Sequence, residues 1–365
     1  MRRARIGAAA AALLVAAAAL AGCASGATAT KQIVGVAMPT TTSDRWVNDG
    51  KNVAAQLRAL GRTVDLKYAE DDVPTQVAQI QAMIDEGAGA LVVGAIDGTA
   101  LKDVLAKAAA ANIPVVSYDR LIRDTPDIAY YATFDNALVG AQQADSLLEG
   151  LGVLDAKGAD THVTGPFLIE LIAGSPDDNN ATVFFQGAMK VLQPYLDAGV
   201  LVVGSGQTDF ATIATPKWNG DTAAQRLGPI LDTVYANKRV DAVLAPADII
   251  SVPVLEVLRS HGYGTADKPW PVVTGQDADI PAVKALIAGE QHSTIYKDTR
   301  QLAEVAVSMV ESLLKGEEPE TNDNASYDNG VKVVPSYLLK PQVVTKANYA
   351  DVLVGSGYYT QQELG

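Results

Sequence analysis

Cysteine is almost missing from this chain: Cys23 is the only one in 365 residues. One thiol excludes a disulfide within the chain and any zinc site built on paired thiolates. Histidine is nearly as scarce. Of the three, His162 falls in a loop, His261 at a helix end beside Gly262 and His292 ahead of a strand, so none has the spacing of a metal-ligand pair. Basic charge is short as well, with 28 Lys and Arg against 42 Asp and Glu and a net charge of −14. That balance argues against a nucleic-acid partner, because phosphate contacts dominate such binding. Also missing are a Gly-x-Ser-x-Gly nucleophile elbow, a Walker-type loop and a dinucleotide fingerprint. Gly87-Ala88-Gly89 precedes a strand, whereas the fingerprint must follow one. No cofactor and no metal is expected.

What the chain does have is apolar mass, 48% hydrophobic against 19% charged, enough for a large core. Its length argues for two domains. Met1-Arg2-Arg3-Ala4-Arg5 is a basic start and Ile6 to Leu20 an apolar run, which together read as a signal peptide over residues 1–22. Leu20-Ala21-Gly22-Cys23 looks like a bacterial lipobox, with Cys23 as the lipidated first mature residue and 23–30 as a tether. The run is too short and Ala-rich to span a bilayer, while a lipid would hold the protein at a membrane surface. The expected location is extracytoplasmic, on the outer face of the cell membrane.

From residue 31 strands and helices alternate, which implies βαβ units and parallel sheets. Strands are expected at 33–38, 63–68, 90–93, 115–118 and 129–133, with helices at 47–60, 74–86, 100–111 and 137–149. A loop over 151–165 precedes a second series. Its strands are at 167–173, 201–204, 242–244 and 271–274, and its helices at 181–192 (stopped by Pro194), 221–237 and 250–261. The fold class is therefore α/β, two Rossmann-like parallel-sheet domains. The segments 280–288, 294–297 and 299–314 are expected to return to the first, and 331–339 to cross back.

Polar residues gather where these strands end, which is where ligands bind in open α/β sheets. Asp119-Arg120 follows the strand Val115–Tyr118 and offers acceptor oxygens beside a planar fork of donors, suited to a vicinal diol. A structural ion pair is the other reading. Arg45 and Trp46 follow the first strand, Asn136 the fifth, and Asp178 and Asn180 the sixth. Asp248, Gln276-Asp277 and Lys297 follow later ones. Asp178, Asn180 and Asp44 could each be a helix cap, but Arg45, Arg120, Gln276 and Lys297 are not cap residues. Together they supply converging donors and acceptors for a neutral polyol. Trp46 and Trp218 could present a ring face to a pyranose or serve as half-buried anchors. Phe184 and Phe185 read as core.

Several runs carry a resemblance to a known family: Gly35-Val36-Ala37-Met38-Pro39-Thr40, Tyr118-Asp119-Arg120-Leu121-Ile122-Arg123, Gly174-Ser175-Pro176-Asp177-Asp178-Asn179-Asn180 and Val333-Val334-Pro335-Ser336-Tyr337. Over about residues 32–360 the chain resembles the type I periplasmic sugar-binding proteins of ABC importers, within the multiple-monosaccharide and xylose-binding group. The resemblance implies two α/β lobes joined by a three-segment hinge, 31–134 with 277–330 and 135–276 with 331–365. A monosaccharide such as glucose, galactose, xylose or arabinose would be enclosed between them. It implies ligand roles for Arg45, Asp119, Arg120, Asn136, Asp178, Asn180, Asp248 and Asp277; Trp46, Trp218, Gln276 and Lys297 are added on their chemistry. The partners implied are an ABC permease and, through Cys23, the membrane; the protein would be a monomer and not an enzyme. A sugar-sensing co-receptor for a membrane kinase or chemoreceptor is the alternative, with a sugar-acting enzyme a third.

Overall fold

The computed structural model describes residues 33–365, so the expected leader, the lipobox and Cys23 lie outside the described residues. The chain begins β1 (Ile33–Met38), α1 (Asp44–Ala59), β2 (Thr63–Tyr68), α2 (Val73–Asp85), β3 (Ala90–Val93), α3 (Lys102–Ala110), β4 (Val115–Tyr118) and β5 (Tyr130–Phe134). Next are α4 (Asn136–Gly150), β6 (Phe167–Leu171), α5 (Asn179–Asp197), β7 (Leu201–Val203), the short α6 (Phe210–Ile213) and α7 (Gly220–Thr233). They are followed by β8 (Ala242–Leu244), α8 (Asp248–Ser260), β9 (Val272–Val273), α9 (Ile280–Ala288), β10 (Ser293–Tyr296) and α10 (Thr299–Lys315). The last elements are β11 (Ser336–Leu339), β12 (Gln342–Thr345) and α11 (Gln361–Leu364).

Two parallel sheets form, one six-stranded in the order β11-β5-β4-β3-β1-β2 and one four-stranded in the order β7-β6-β8-β9. Alternation along β1 sends Val34, Val36 and Met38 to one face and Ala37 to the other, as the period of two requires. The first face is covered by α1 and α10 through Val53, Leu57, Leu302, Ala306 and Val310. The opposite face is covered by α2 and α3 through Ile80, Met83, Val104 and Leu105. The second sheet is sandwiched in the same way, by α4 and α5 on one side and α7 and α8 on the other. Parallel sheets need both faces covered because their crossovers are helices.

The chain passes between the two halves three times. The first passage is β5 to α4, where Asp135 caps the helix by accepting from Leu138 N. The second runs from β10 to α10, where Asp298 caps by accepting from Arg300 N. The third joins β11 to β12. Two expected boundaries move accordingly. Segment 280–297, expected on the first half, stays with the second: Asp277 N donates to Ile295 O, β10 pairs with β12, and Val283 and Leu286 share a core with Val344 and Leu353. Segment 336–339, expected on the second half, pairs in parallel with β5 in the first sheet. Pairings this distant in sequence leave no trace in local periodicity.

Pro194 does not stop its helix, and α5 runs on to Asp197. The helix α1 begins three residues earlier than expected, with Ser43 as its N-cap residue. Asp44 is thus inside the helix, not its cap, and Arg45 stands in the first turn and not in a loop. No described helix is long and apolar enough to cross a membrane.

Candidate functional site, a cleft between the two sheets

The strand ends of both sheets converge on one cavity, the place where open α/β sheets meet their ligands. Ten of the twelve expected residues line it: Arg45, Trp46, Asp119, Arg120, Asp178, Asn180, Trp218, Gln276, Asp277 and Lys297. Asn136 and Asp248 do not.

On the first-half wall, Arg45 and Asp119 face each other as two planar forks. Arg45 Nη1 lies 3.1 Å from Asp119 Oδ1, and Nη2 pairs with Oδ2. Burial raises the cost of the Asp119 charge, yet Arg45, Lys297 and Arg120 together hold its carboxyl well below the usual range. The Asp119 backbone adopts φ +60°, uncommon for a side chain with a β-carbon. Its carbonyl oxygen accepts from three donors: Tyr131 Oη at 2.6 Å, Thr133 Oγ1 at 2.9 Å and Asn180 Nδ2 at 2.8 Å. Three hydrogen bonds offset the strain of that conformation. Trp46 lies nearby under two cations, with the Arg45 and Arg120 guanidinium carbons 5.0 and 5.1 Å from its ring centre.

On the other wall Asp178 is the N-cap of α5, accepting from Asn180 N at 2.9 Å. The capping reading and the ligand reading are therefore compatible in one side chain. Its second oxygen meets Arg120 Nε at 2.9 Å across the cleft and Trp218 Nε1 at 3.2 Å. Burial pushes its carboxyl up, against Arg120 and the Asn180 amide. Trp218 reaches this place because residue 174 is glycine: a β-carbon there would stand 2.1 Å from the Trp218 ring.

The floor carries Lys297, buried, with its Nζ 3.0 Å from Asp277 Oδ1, and Asp277 in turn lies 3.7 Å from Arg45 Nε. Gln276 is buried too, and its Oε1 finds no donor among the described residues. The halves touch through Arg120–Asp178, through Asn180 to the Asp119 carbonyl, and through Gly98 N donating to Asp177 O at 3.2 Å.

Two expected ligand contacts are corrected. Asp248 opens α8, and its neighbours Ala247 and Ile249 line the cavity while its own side chain points away, since a helix turns about 100° per residue. Its oxygens accept from Gln291 Nε2 at 2.9 Å, Asp279 N at 2.9 Å and Thr294 Oγ1 at 2.8 Å. Gly275 leaves it room, because a β-carbon there would fall 1.9 Å from Asp248 Oδ1. Burial, with Asp279 beside it, raises the Asp248 carboxyl well above its ordinary value. Asn136 donates from Nδ2 to Asn180 Oδ1 at 3.0 Å and so braces a cavity residue from behind.

Phe184 is buried as expected of core, but it also lines the cavity, edge-on to Trp218 at 6.4 Å. It follows Asn180 by four residues, a spacing that puts both on one helix face, so the signal was present. Thr40, Ser43, Asp71 and Lys217 complete the rim; single polar loop residues carry no pattern that could have picked them out.

The family described as "Periplasmic binding protein domain" matches residues 34–318. The chain is 53% identical over 336 residues to the multiple sugar-binding periplasmic receptor ChvE of Rhizobium radiobacter, covering 92% of this chain and 93% of the relative. It is 33% identical to the D-xylose-binding periplasmic protein of Escherichia coli, over 91% of this chain and 92% of that one. Among solved structures, an ABC transporter solute-binding protein from Clostridium phytofermentans with bound β-D-glucose superposes with a TM-score of 0.86. It shares 45% identity, and the match covers 91% of this chain and all of that one. Sequence and architecture agree, and the chain belongs to the periplasmic binding protein family.

Proposed function

We propose that the protein captures a neutral aldose (glucose, galactose, xylose or arabinose) between its two halves outside the cytoplasm and delivers it to an ABC importer. One observation carries this reading: a cavity at the strand ends of both sheets, lined by buried carboxylates and cations already paired with one another. Such pairs offer acceptors and donors at fixed angles to hydroxyl groups, and a neutral ligand leaves their charge balance untouched. Asp119, Asp178 and Asp277 would accept from hydroxyls; Arg45, Arg120 and Lys297 would donate; Gln276 and Asn180 would do either. Phe184 and Trp218 supply apolar ring surface for the C–H side of a pyranose. The relatives named above are called sugar-binding, xylose-binding and glucose-bound, which supports the same class of ligand.

The same pairing speaks against catalysis. A glycosidase needs one carboxylic acid poised to give up a proton; Asp119 is held ionised by cations, and Asp178, though burial raises its carboxyl, has both oxygens engaged by Arg120, Trp218 and the Asn180 amide. Closure ties both walls, so only the loaded, closed form would present one composite surface to a permease, as differential affinity requires. The leader and lipobox pattern supports an anchor at Cys23. The lobes we propose follow the strand pairings, about 33–134 with 299–339 and 135–297 with 342–365.

The test is a thermal-shift screen of aldoses, polyols, nucleosides and branched amino acids, followed by calorimetry. A sugar at a hundredfold excess over its Kd should add about 2.7 kcal/mol of stability. Stabilisation by aldoses that Arg120→Ala abolishes supports the reading. Stabilisation by another class alone removes the sugar from it.

A further inference from the structure

One buried acid stands behind the cleft and touches none of the cavity. Asp49 is fully buried on α1, four residues after Arg45, so the two share a helix face. Its Oδ2 lies 3.2 Å from Arg45 Nε, an ion-pair contact that is not aligned as a hydrogen bond, and its Oδ1 accepts the hydroxyl of Tyr118 on β4. Arg45 turns its other two nitrogens to Asp119. Each nitrogen of the guanidinium therefore meets a carboxylate, Asp49 from behind and Asp119 in front. A guanidinium held only at its tip can swing about its side-chain torsions; a second carboxylate in ion-pair contact behind it restrains that swing through charge.

We propose that Asp49 is the positioning residue of this cleft: its charge, in ion-pair contact with Arg45 behind the cavity, keeps the two terminal nitrogens on Asp119, and so presets that carboxylate for the sugar. The inference rests on the sugar-capture reading of the cavity.

The charges around Asp49 give it a consequence that can be measured. Arg45 faces it from its own helix, Tyr118 and Asp119 from the end of β4, Lys297 from the segment after β10 and Tyr68 from β2. Tyr358 faces it from the carboxyl-terminal segment, and Asp277 shares its Arg45. Three cations, Arg45, Lys297 and Arg120, thus serve four carboxylates, Asp49, Asp119, Asp277 and Asp178. Burial pushes the Asp49 carboxyl up to about 7, although Arg45 opposes it. Asp49 takes up the proton that this surplus invites, because Asp119 has the fuller share of Arg45. The ionised carboxylate grips Arg45 as a charged pair, and the protonated acid grips it less. Sugar affinity should then rise with pH through about 7.

The experiment is D-glucose and D-xylose calorimetry from pH 5.5 to 8.5 on wild type, Asp49→Asn and Tyr118→Phe. Alongside it, the Arg45 Nε–H resonance is followed with pH in the sugar-free protein. Expected is an affinity rise of about tenfold across pH 6–8 in wild type. Asp49→Asn should be flat and near the low-pH wild-type value. Tyr118→Phe removes a hydrogen bond to the ionised form, so its midpoint should move to higher pH. Asp49→Asn with wild-type affinity and profile overturns the proposal, as does an Arg45 resonance that does not titrate near 7. If Asp49→Asn fails to fold, Tyr118→Phe decides, an unmoved midpoint overturning the proposal. A wild type that binds no aldose sinks the sugar reading instead, and the Arg45 resonance still reports on Asp49.

Discussion

At the end of β4, Asp119 meets the two terminal nitrogens of Arg45 and opens onto the cavity. At the end of β8, Asp248 meets an amide side chain, a backbone N–H and a threonine hydroxyl, and no cation. Both follow short buried strands, and both are almost fully buried themselves. Burial acts on both in the same direction. Only at Asp119 do cations overcome it, so one carboxyl is held low and the other is pushed high. A strand-end aspartate becomes binding chemistry where a guanidinium reaches it, and a structural knot where neutral donors do.

The largest test of this contrast is Asp119→Ala. It strands Arg45 beside an empty place, so aldose affinity should fall at least about a hundredfold and stability by about 3–5 kcal/mol, the cost of breaking a buried pair. Calorimetry and denaturant unfolding read the two effects. Asp248→Asn should instead cost about 1–3 kcal/mol through its unsatisfied neighbours and leave the Kd for glucose within about threefold. Equal losses of affinity in the two variants would erase the distinction.

The pH dependences should have opposite signs. Asp119, low in the folded state, contributes stability that is present above its unfolded value of about 3.9 and is lost as pH falls. Asp248, raised in the folded state, contributes stability present at low pH and lost as pH rises through its raised value. Unfolding midpoints between pH 2 and 9 should therefore lose their acid limb in Asp119→Asn and part of their alkaline limb in Asp248→Asn.

Gly174→Ala should come next in size. The added methyl meets the Trp218 ring and should cost about 1–3 kcal/mol as overpacking does, with a change in tryptophan fluorescence that reports the displaced ring. Smallest is Asn136→Ala. It loosens Asn180 from behind and should weaken glucose, galactose and xylose by the same few-fold factor, since bracing alters closure and not the choice of hydroxyl. A changed preference among the three sugars would put Asn136 back among the contacts.

Most of the cleft was legible because parallel sheets bring their strand ends to one edge, and residues such as Arg120 and Lys297 have no structural use as caps there. The errors have physical causes. Asp248 and Ile249 are one residue apart, and only the helix rotation, invisible in composition, decides which faces the cavity. Phe184 is core as its apolar helix face implies, and only its spacing from Asn180 signals that it lines the cavity as well. The strand Ser336–Leu339 was sent to the wrong half because its partner, β5, lies some two hundred residues earlier, and pairing at that distance is decided by tertiary fit.

That last strand bears on how the protein is made. The face of the first sheet that carries Val34, Val36, Val92 and Val116 is covered by Leu302, Ala306 and Val310 of α10, and the sheet's edge is closed by β11. A ribosome delivers those residues near the end of synthesis. Until then the first half has its β1–β5 strands and the α1 part of the cover over that face but lacks the α10 part, and contacts of such long sequence separation form slowly. Covering that face is therefore a late step in the folding of the first half, and the newborn polypeptide keeps part of an apolar sheet face open until its last long helix has been made.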